Sequence, residues 1–453
     1  MKIGTIGIAQ VVRTFVFILF FMTTANAADF IIADFNDLQG ALTTAAGNGE
    51  DDLIDLPTGE YTVPATLIYD PATDENQSLT ILGKGAGSTV LNGANLRQIL
   101  KIYTEDFDEP DGHFIIDGIT FQNGKNAGLA AGLYVHSNYA DITIENCEFK
   151  NNTSTGSSPS YDGGGLKTRC QTNATIILKN NTFTGNSASE GGGACIQAYG
   201  FPGATVILEN NIFSGNNANY ASGGVYAYSY GPIAFKSNSF TGNSATYSFG
   251  GARVETRDGI LTLINNFFSG NSVNTYIGGG AYATTQFGTA IILNNTFSGS
   301  NTAQGNGGGL YVHLLNVGPA KIYNNILWGN TATGAGDDLY ISNPYAQVEL
   351  YNNLYGDAII TDNDKLTEGN NHTNEDPLLT TGYYLGPSSP CIDAGTNTVP
   401  DPPGLPAADI EDNDRVSDGD GNGSSIVDIG AYEYSSTQAT INNSGIQLLL
   451  LGD

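Results

Sequence analysis

Residues 175–198 have the sequence TIILKNNTFTGNSASEGGGACIQA, and residues 205–229 repeat this arrangement as TVILENNIFSGNNANYASGGVYAYS. Each copy contains a short β-branched run, an Asn pair, a Phe, and a Gly cluster followed by alternating small or apolar residues. Short β-branched runs bounded by Gly and Asn are typical of strands. A unit with such short strands cannot bury a core alone, whereas stacked units can. The stretch therefore predicts a β-solenoid.

The unit recurs with a period of about 29 residues over most of the chain. Its Asn pairs, or their equivalents, begin at Asn146, Asn180, Asn210, Ser237, Asn265, Asn294, Asn324 and Asn352. The last Gly before the following strand, called the marker Gly, recurs in step at Gly132, Gly165, Gly193, Gly224, Gly251, Gly280 and Gly309. Asn tolerates left-handed backbone angles and can hydrogen-bond to its equivalent in the next coil, so we expect an Asn ladder.

Side-chain alternation after the marker Gly predicts which residues face the core. The first and third residues after it are small or apolar and are expected to point inward, whereas the second and fourth point outward. The fold class predicted is all-β, a single-stranded right-handed parallel β-helix with a C-terminal Asp/Gly-rich cap. Leu38, Ala41, Leu42 and Ala45 have helical spacing and predict a short N-terminal capping helix.

The start of the chain resembles an export signal. Lys2, Arg13, an apolar run over 15–22 and a small-residue site ending at Ala27 predict a signal peptide at 1–27. We expect a secreted or outer-surface bacterial protein with no transmembrane span in the mature chain. The remaining predicted regions are an N-terminal cap with the first coils at 28–115, the repeats at 116–380, the C-terminal cap at 381–434 and a tail at 435–453.

Charge and cysteine content limit the partners. The formal charge is −29, and it becomes −31 (−29 − 2) when Lys2 and Arg13 leave with the signal, which argues against nucleic acid and anionic lipid. The four cysteines lack the paired spacing of a zinc site, and the sequence leaves their disulfide pairing open. We expect a monomer.

Two sets of motifs resemble known families. Residues 183–186, FTGN, and their equivalents at 213–216, 240–243 and 268–271 resemble the passenger repeats of chlamydial polymorphic outer membrane proteins. Residues 389–395, SPCIDAG, and 427–434, VDIGAYEY, are similar to the choice-of-anchor Q domain of bacterial surface proteins. The first resemblance implies a surface β-helix, commonly an adhesin, and the fold class predicted from the repeats is a pectin-lyase-like solenoid. The second implies a β-helix followed by a surface-attachment region, whose mode of attachment stays open.

One outward strand face carries the candidate binding residues. Its first column, two positions after the marker Gly or its equivalent, is Tyr134, Lys167, Cys195, Tyr226, Arg253, Tyr282, Tyr311 and Tyr340, and its second column is His136, Arg169, Gln197, Tyr228, Glu255, Thr284, His313 and Ser342. Coils about 4.8 Å apart would align the tyrosines into an exposed aromatic strip suited to sugars. The candidate ligand-binding residues are Tyr226, Tyr228, Tyr282, Tyr311, His313 and Arg169. Alternatively, the stacked tyrosines only stabilise the wall.

Arg253, Glu255 and Arg257 form a charged cluster on the same face. Glu255 could act as a base and the arginines could neutralise a uronate carboxylate, as in a polysaccharide lyase. The alternative is a surface ion pair, since Glu255 has no visible acid partner in the sequence. We therefore favour non-catalytic adhesion or binding to a polysaccharide or a cell-surface glycan or protein. The alternatives are a polysaccharide-active enzyme, lyase or hydrolase, and a structural surface module or spacer that binds no glycan.

An Asp/Gly-rich loop near the C-terminus predicts a calcium site. Asp418, Asp420 and Asn422 supply oxygen donors at alternate positions before a Gly, as in a calcium loop, and Asp428 follows closely. The alternative is a solvated Asp-Gly turn. No other cofactor is expected.

Overall fold

The computed structural model describes residues 27–71, 77–104, 112–156, 161–200, 203–400 and 402–435. The predicted signal peptide, apart from Ala27, and the predicted tail, apart from Ser435, lie outside this part of the chain. The described residues wind into a right-handed parallel β-helix, which confirms the predicted fold class. Successive coils contribute parallel strands to four sheets, which we number I to IV in the order in which a coil visits them.

Sheet I has 13 strands: Ala27–Ile31, Asp51–Asp55, Leu79–Leu82, His113–Asp117, Asp141–Glu145, Thr175–Lys179, Thr205–Glu209, Ile233–Lys236, Leu261–Ile264, Ala290–Leu293, Ala320–Tyr323, Val348–Tyr351 and Leu366–Gly369. Sheet II has 12 strands: Gly59–Thr62, Thr89–Asn92, Thr120–Gln122, Glu148–Lys150, Thr182–Thr184, Ile212–Ser214, Ser239–Thr241, Phe267–Ser269, Thr296–Ser298, Ile326–Trp328, Leu354–Tyr355 and His372–Thr373.

Sheet III has eight short strands: Lys125–Asn126, Thr153–Ser154, Ser187–Glu190, Asn217–Ala221, Ser244–Ala245, Ser272–Val273, Thr302–Ala303 and Thr331–Ala332. Sheet IV has 11 strands: Leu67–Tyr69, Leu100–Thr104, Leu133–Ser137, Leu166–Cys170, Ala194–Ala198, Val225–Ser229, Ala252–Thr256, Ala281–Thr285, Leu310–Leu314, Leu339–Ser342 and Ala358–Ile360. A separate antiparallel pair, Val416–Ser417 with Ile426–Val427, lies near the C-terminus.

The core consists of columns of identical or similar side chains. In sheet IV, Leu166, Ala194 and Val225 are aligned in register and fully buried, as predicted for the first residue after the marker Gly. In sheet II, stacked phenylalanine rings run from Phe121 to Phe297 with centroids 4.5–5.2 Å apart. Aligned columns bury a continuous apolar core, which explains why single units cannot fold alone.

The predicted Asn ladder is confirmed, and it occurs twice. In each Asn pair the first residue takes a left-handed conformation with φ of 52–57°, and the second enters the ladder. The Nδ2 of Asn181, for example, donates to Oδ1 of Asn211 at 3.0 Å and to the carbonyl oxygen of Ile144 at 2.7 Å. The second ladder runs from Asn152 through successive coils and ends at the carboxylate of Asp338. Both ladders pair backbone groups that the corners would otherwise leave buried and unsatisfied.

The N-terminal helix spans Leu38–Ala45, and its four predicted core residues are buried. It packs against the strand Leu67–Tyr69 and follows a 3-10 turn at Phe35–Asp37, while a second 3-10 turn lies at Asn363–Lys365. No helix in the described ranges is both long and apolar enough to cross a membrane. The four cysteines are buried, unpaired thiols.

The C-terminal segment, residues 381–434, lies along one flank of the β-helix. The first Asn of four successive pairs donates to its backbone, as in Asn265 Nδ2 to the Ala408 carbonyl oxygen at 2.7 Å and Asn352 Nδ2 to that of Ala394 at 3.0 Å. Arg415 is fully buried and donates to Glu433 Oε2 at 3.1 Å and to Asn265 Oδ1 at 2.6 Å. The segment therefore covers the corner of four coils, a placement that the repeat pattern does not predict.

Candidate functional site

The outward face of sheet IV has the predicted register. Lys167, Cys195, Tyr226 and Arg253 are aligned across four adjacent strands, and Tyr282, Tyr311 and Tyr340 continue the column. The second column is aligned in the same way from His136 to Ser342. The structure therefore brings the candidate residues together on one wall.

The prediction that the tyrosine strip is exposed is wrong. Tyr226 is 4% exposed and Tyr282 is 8% exposed, so only the later tyrosines of the column are half-buried. The connections that enter sheet IV fold over its face: the ring of Tyr161 stacks on Tyr226 at 5.5 Å, and that of Phe249 contacts Tyr282 at 4.5 Å. Buried rings of this kind contribute packing more than they contribute ligand contact.

Arg253 and Glu255 form a tightly packed ion pair. The guanidinium lies between the rings of Tyr226 and Phe249, 4.5 and 5.0 Å from their centroids, and its Nε donates to Glu255 Oε1 at 2.9 Å. Burial alone would lower the pKa of Arg253, but the Glu255 carboxylate raises that pKa above its ordinary value. Burial, and then Glu255, raises the pKa of the Tyr226 hydroxyl, so Tyr226 is a proton donor at 3.5 Å from Glu255.

A second carboxylate, which the sequence reasoning missed, lies in the same electrostatic environment. Glu190 is 2% exposed, and its Oε2 has no hydrogen-bond partner among the residues that the structure describes. Burial raises the pKa of Glu190, opposed by Arg253 and reinforced by Asp162 and Glu255. The available signal was the acidic residue directly before the Gly cluster of residues 191–193. Glu190 precedes the marker Gly193, so the side-chain alternation after that Gly does not predict its position.

Three half-buried tyrosines form a more accessible surface, which we call the aromatic patch: Tyr199, Tyr228 and Tyr230. Their ring centroids are 5.5–5.9 Å apart. The guanidinium of Arg169 lies over Tyr199, and that of Arg257 over Tyr230, each at 5.1 Å. Burial, and then Tyr230, raises the pKa of Tyr228 to about 12, so its hydroxyl stays protonated. Tyr199 and Tyr230 lie six positions after the marker Gly, beyond the two columns that the prediction covered.

His313 and its neighbours form a separate group on the same wall. The Tyr282 hydroxyl and His313 Nδ1 are 3.0 Å apart, and Tyr311 stacks on Tyr340 with centroids 4.8 Å apart. Burial lowers the pKa of His313, with Glu255 opposing, so this imidazole is neutral at pH 7. Arg257, in contrast, pairs with Asp258 at 3.4 Å and not with Glu255.

The predicted calcium ligands are only partly brought together. Carboxylate oxygens of Asp418 and Asp420 group with Asp393, which the prediction did not include, within 4.8 Å of one another. The Asn422 amide donates to Asp420 Oδ2 at 2.8 Å. Asp428 lies outside the group because it is fully buried and accepts the backbone N–H of Asp393 at 2.7 Å. Asp393, Asp418 and Asp420 are therefore the carboxylates that are grouped closely enough to hold a cation here.

No protein-family model matches the sequence, and no curated protein matches it. Among solved structures, the chain is similar to the pectate lyase Pel9A, with a TM-score of 0.46 and 13% identity over 91% of this chain and 97% of that one. It is also similar to a mannuronic acid-specific family 6 polysaccharide lyase from human gut microbiota (TM-score 0.37, 12% identity, 75% and 84% covered). A third is the Azotobacter vinelandii mannuronan C-5 epimerase AlgE6 A-module (0.38, 15%, 77% and 97%). These values describe a similar β-helical path of the backbone and do not identify an activity.

Proposed function

We propose that this protein binds an acidic polysaccharide on the outward face of sheet IV, as a secreted or surface-displayed β-helix. The observation that carries the proposal is the aromatic patch flanked by Arg169 and Arg257 on a chain whose net charge is −29. Ring faces pack against the C–H faces of sugars, and guanidinium groups pair with carboxylates. The aromatic patch and its flanking arginines therefore supply both kinds of contact for an acidic sugar polymer.

The charge on this face is opposite to that of the chain. The outward strand positions of sheet IV carry the cations Lys101, Lys167, Arg169 and Arg253, against the single carboxylate of Glu255. The outward positions of sheet I, in contrast, include acidic side chains such as those of Asp117, Glu145 and Glu209. A polyanion would be attracted to sheet IV and repelled by the rest of the surface. Binding should therefore be confined to one face.

The extended shape of the wall suits a polymer. Sugar-binding residues on successive coils lie about 4.8 Å apart, so neighbouring coils can contact neighbouring sugar units. Secretion and surface display are part of this proposal. The resemblances to adhesin repeats and to the choice-of-anchor Q domain are consistent with it. Calcium binding near Asp418 stays a prediction.

Charge removal on two faces tests the proposal. The double variant Lys101→Ala with Arg257→Ala removes two cations from the sheet IV face, whereas Lys150→Ala with Lys236→Ala removes two exposed cations from sheets II and I. We expect the first variant to bind polygalacturonate and alginate at least about tenfold more weakly, and the control to match the parent. Equal losses in both variants would show binding through net charge alone and contradict the proposal.

Polysaccharide cleavage is the second candidate function, and Glu190 is the observation that favours it. The sequence shows no acid partner for Glu255, but in the structure Glu190 lies in the same electrostatic environment. Burial favours the protonated form of Glu190, as a general acid requires. A lyase would release unsaturated uronate, detected by its ultraviolet absorbance. Product formation that is lost in both Glu255→Gln and Glu190→Gln would support this candidate. If the parent protein releases no product from any acidic polymer, cleavage is ruled out.

A further inference from the structure

Arg169 and Gln197 are adjacent in register on the outward face of sheet IV. Arg169 Nε and Gln197 Nε2 are both buried, and neither has a hydrogen-bond partner among the described residues. The whole Gln197 side chain is 3% exposed. Buried donors in proteins are nearly always paired, so two unpaired donors side by side indicate a missing acceptor.

The charge around these donors indicates that the missing acceptor is an anion. Within the described ranges, no carboxylate lies within 4 Å of the Arg169 guanidinium, which instead covers the ring of Tyr199. His136 is the register neighbour of Arg169 in the preceding coil. Burial, followed by Arg169 and Lys167, lowers the pKa of His136 to about 4. Arg169 and Lys167 contribute to this shift after burial, so both cations lie close enough to make the field at His136 positive.

We propose that Arg169 and Gln197 form a seat for one carboxylate group of a uronic acid unit. A carboxylate has two oxygens in one plane and can accept from the guanidinium and the amide together. Tyr199 and Tyr228, whose rings lie beside this pair, would contact the sugar ring that carries the carboxylate. The inference rests on the proposed function and deepens it, because it identifies the group on the polymer that is recognised.

Gln197→Glu is the sharpest variant. It exchanges the unpaired amide donor for a carboxylate of nearly the same shape, which would pair with Arg169 and occupy the seat from within. The fold should stay close to the parent in stability, because the half-buried Arg169 gains a partner while the new carboxylate loses water. Gln286→Glu is the matched control: Gln286 is exposed and follows the sheet IV strand Ala281–Thr285, so it adds the same charge to the same wall away from the seat.

The probes are hexamers of galacturonic acid and of mannuronic acid, their methyl esters, and a sulfated galactan oligomer, with binding measured by calorimetry on the full chain. We expect Gln197→Glu to bind the better uronate hexamer about tenfold or more weakly and its methyl ester unchanged, with Gln286→Glu within about twofold of the parent. Thermal unfolding checks the fold of each variant, and Gln197→Met, which removes the donor without adding charge, should lose part of the same discrimination.

Three results would overturn the seat. The first is parent-like binding of the uronate hexamer by Gln197→Glu, which would leave the proposed function intact. The second is preference of the parent for the sulfated oligomer, which would mean that the seat recognises a sulfate group and not a carboxylate. The third is an equal loss for the hexamer and its methyl ester. Failure of the parent to bind any acidic oligomer would instead remove the proposed function itself.

Discussion

Arg253 Nε donates a 2.9 Å hydrogen bond to Glu255 Oε1, and both side chains project from the outward face of one strand. The pair is largely enclosed, with side-chain exposures of 20% and 16%. Glu255 also faces the hydroxyl of Tyr226. This arrangement can position Arg253 for binding or Glu255 for catalysis, and the two roles predict opposite results when Glu255 is neutralised.

Glu255→Gln should strengthen binding to an acidic polysaccharide. The variant removes the only carboxylate from the outward positions of the described sheet IV strands and keeps an oxygen that can accept from Arg253. We expect about a threefold gain in affinity at low salt, and a smaller gain at high salt as screening grows. Titration with polygalacturonate at two salt concentrations checks this. Weaker binding, or a turnover that the variant abolishes, would favour catalysis.

Tyr226→Ala should destabilise the fold far more than Tyr311→Ala. Tyr226 is 4% exposed and packs between Tyr161 and Arg253, so truncation leaves a cavity and should lower the free energy of unfolding by about 3 kcal/mol. Tyr311 is half-buried, and its truncation should cost about 1 kcal/mol. Urea unfolding measures both. Similar values for the two variants would contradict the described covering of the tyrosine column.

Asn243→Ala tests the ladders. Asn243 Oδ1 accepts from the backbone N–H and the amide of Asn216, and its Nδ2 donates to the Phe213 carbonyl oxygen at 2.9 Å. Loss of these bonds leaves buried groups unpaired and should lower the free energy of unfolding by about 3 kcal/mol. Asn219→Ala, at an exposed site, is the control and should change it by less than about 0.5 kcal/mol. An equally small effect at both sites would mean that the ladder contributes little.

Docking of the C-terminal segment should weaken as pH rises. Burial raises the pKa of the Asp428 carboxyl from 3.8 to about 7. Carboxyls with raised folded-state pKa values add most stability when protonated, so this contribution is full below pH about 4 and declines as pH rises to about 7. Trp328, the only tryptophan, packs against the apolar cluster beneath this segment.

The fluorescence of Trp328 therefore reports whether the C-terminal segment is docked. We expect the emission maximum to shift to the red between pH 5 and 8 in mild denaturant, reversibly, while free tryptophan amide in the same buffers stays constant. A red shift on acidification instead, with a stable maximum at pH 8, would mean that the ionised carboxylates stabilise the docked segment.

Calcium bound at the Asp418 turn should raise the melting temperature, since a ligand specific for the folded state stabilises that state. Asp418→Asn should abolish the increase, whereas the exposed Asp414→Asn variant should keep it. Differential scanning calorimetry with calcium and then with chelator measures the effect. An unchanged melting temperature at millimolar calcium would leave this region as a solvated turn.

The sequence predicts the β-helix well because its determinants are local. Alternation after the marker Gly determines which side chains of sheet IV face inward, and the first Asn of each pair determines the left-handed corner. Because both features repeat, the pattern in neighbouring coils assigns the strands and corners of a coil whose own sequence is irregular. The columns from Lys167 to Tyr340 were therefore predicted with the correct register.

The exposure of those columns depends on connections that do not repeat. Tyr161 and Phe249 come from connections of different length, and each covers a tyrosine that the alternation pattern would leave in solvent. The contact between Asn265 and Arg415 joins residues 150 positions apart, and no periodic signal announces it. Glu190 was missed for a similar reason, because a corner residue becomes part of the site only through coil stacking.

The most direct test of the central claim compares polygalacturonate with a neutral galactan of matched length, titrated into the purified protein at low salt and at 0.5 M salt. We expect saturable binding of the acidic polymer that weakens as salt screens the cations of sheet IV, and at least about tenfold weaker binding of the neutral polymer. Equal affinity for both polymers, or binding of the acidic polymer that does not respond to salt, would contradict the claim.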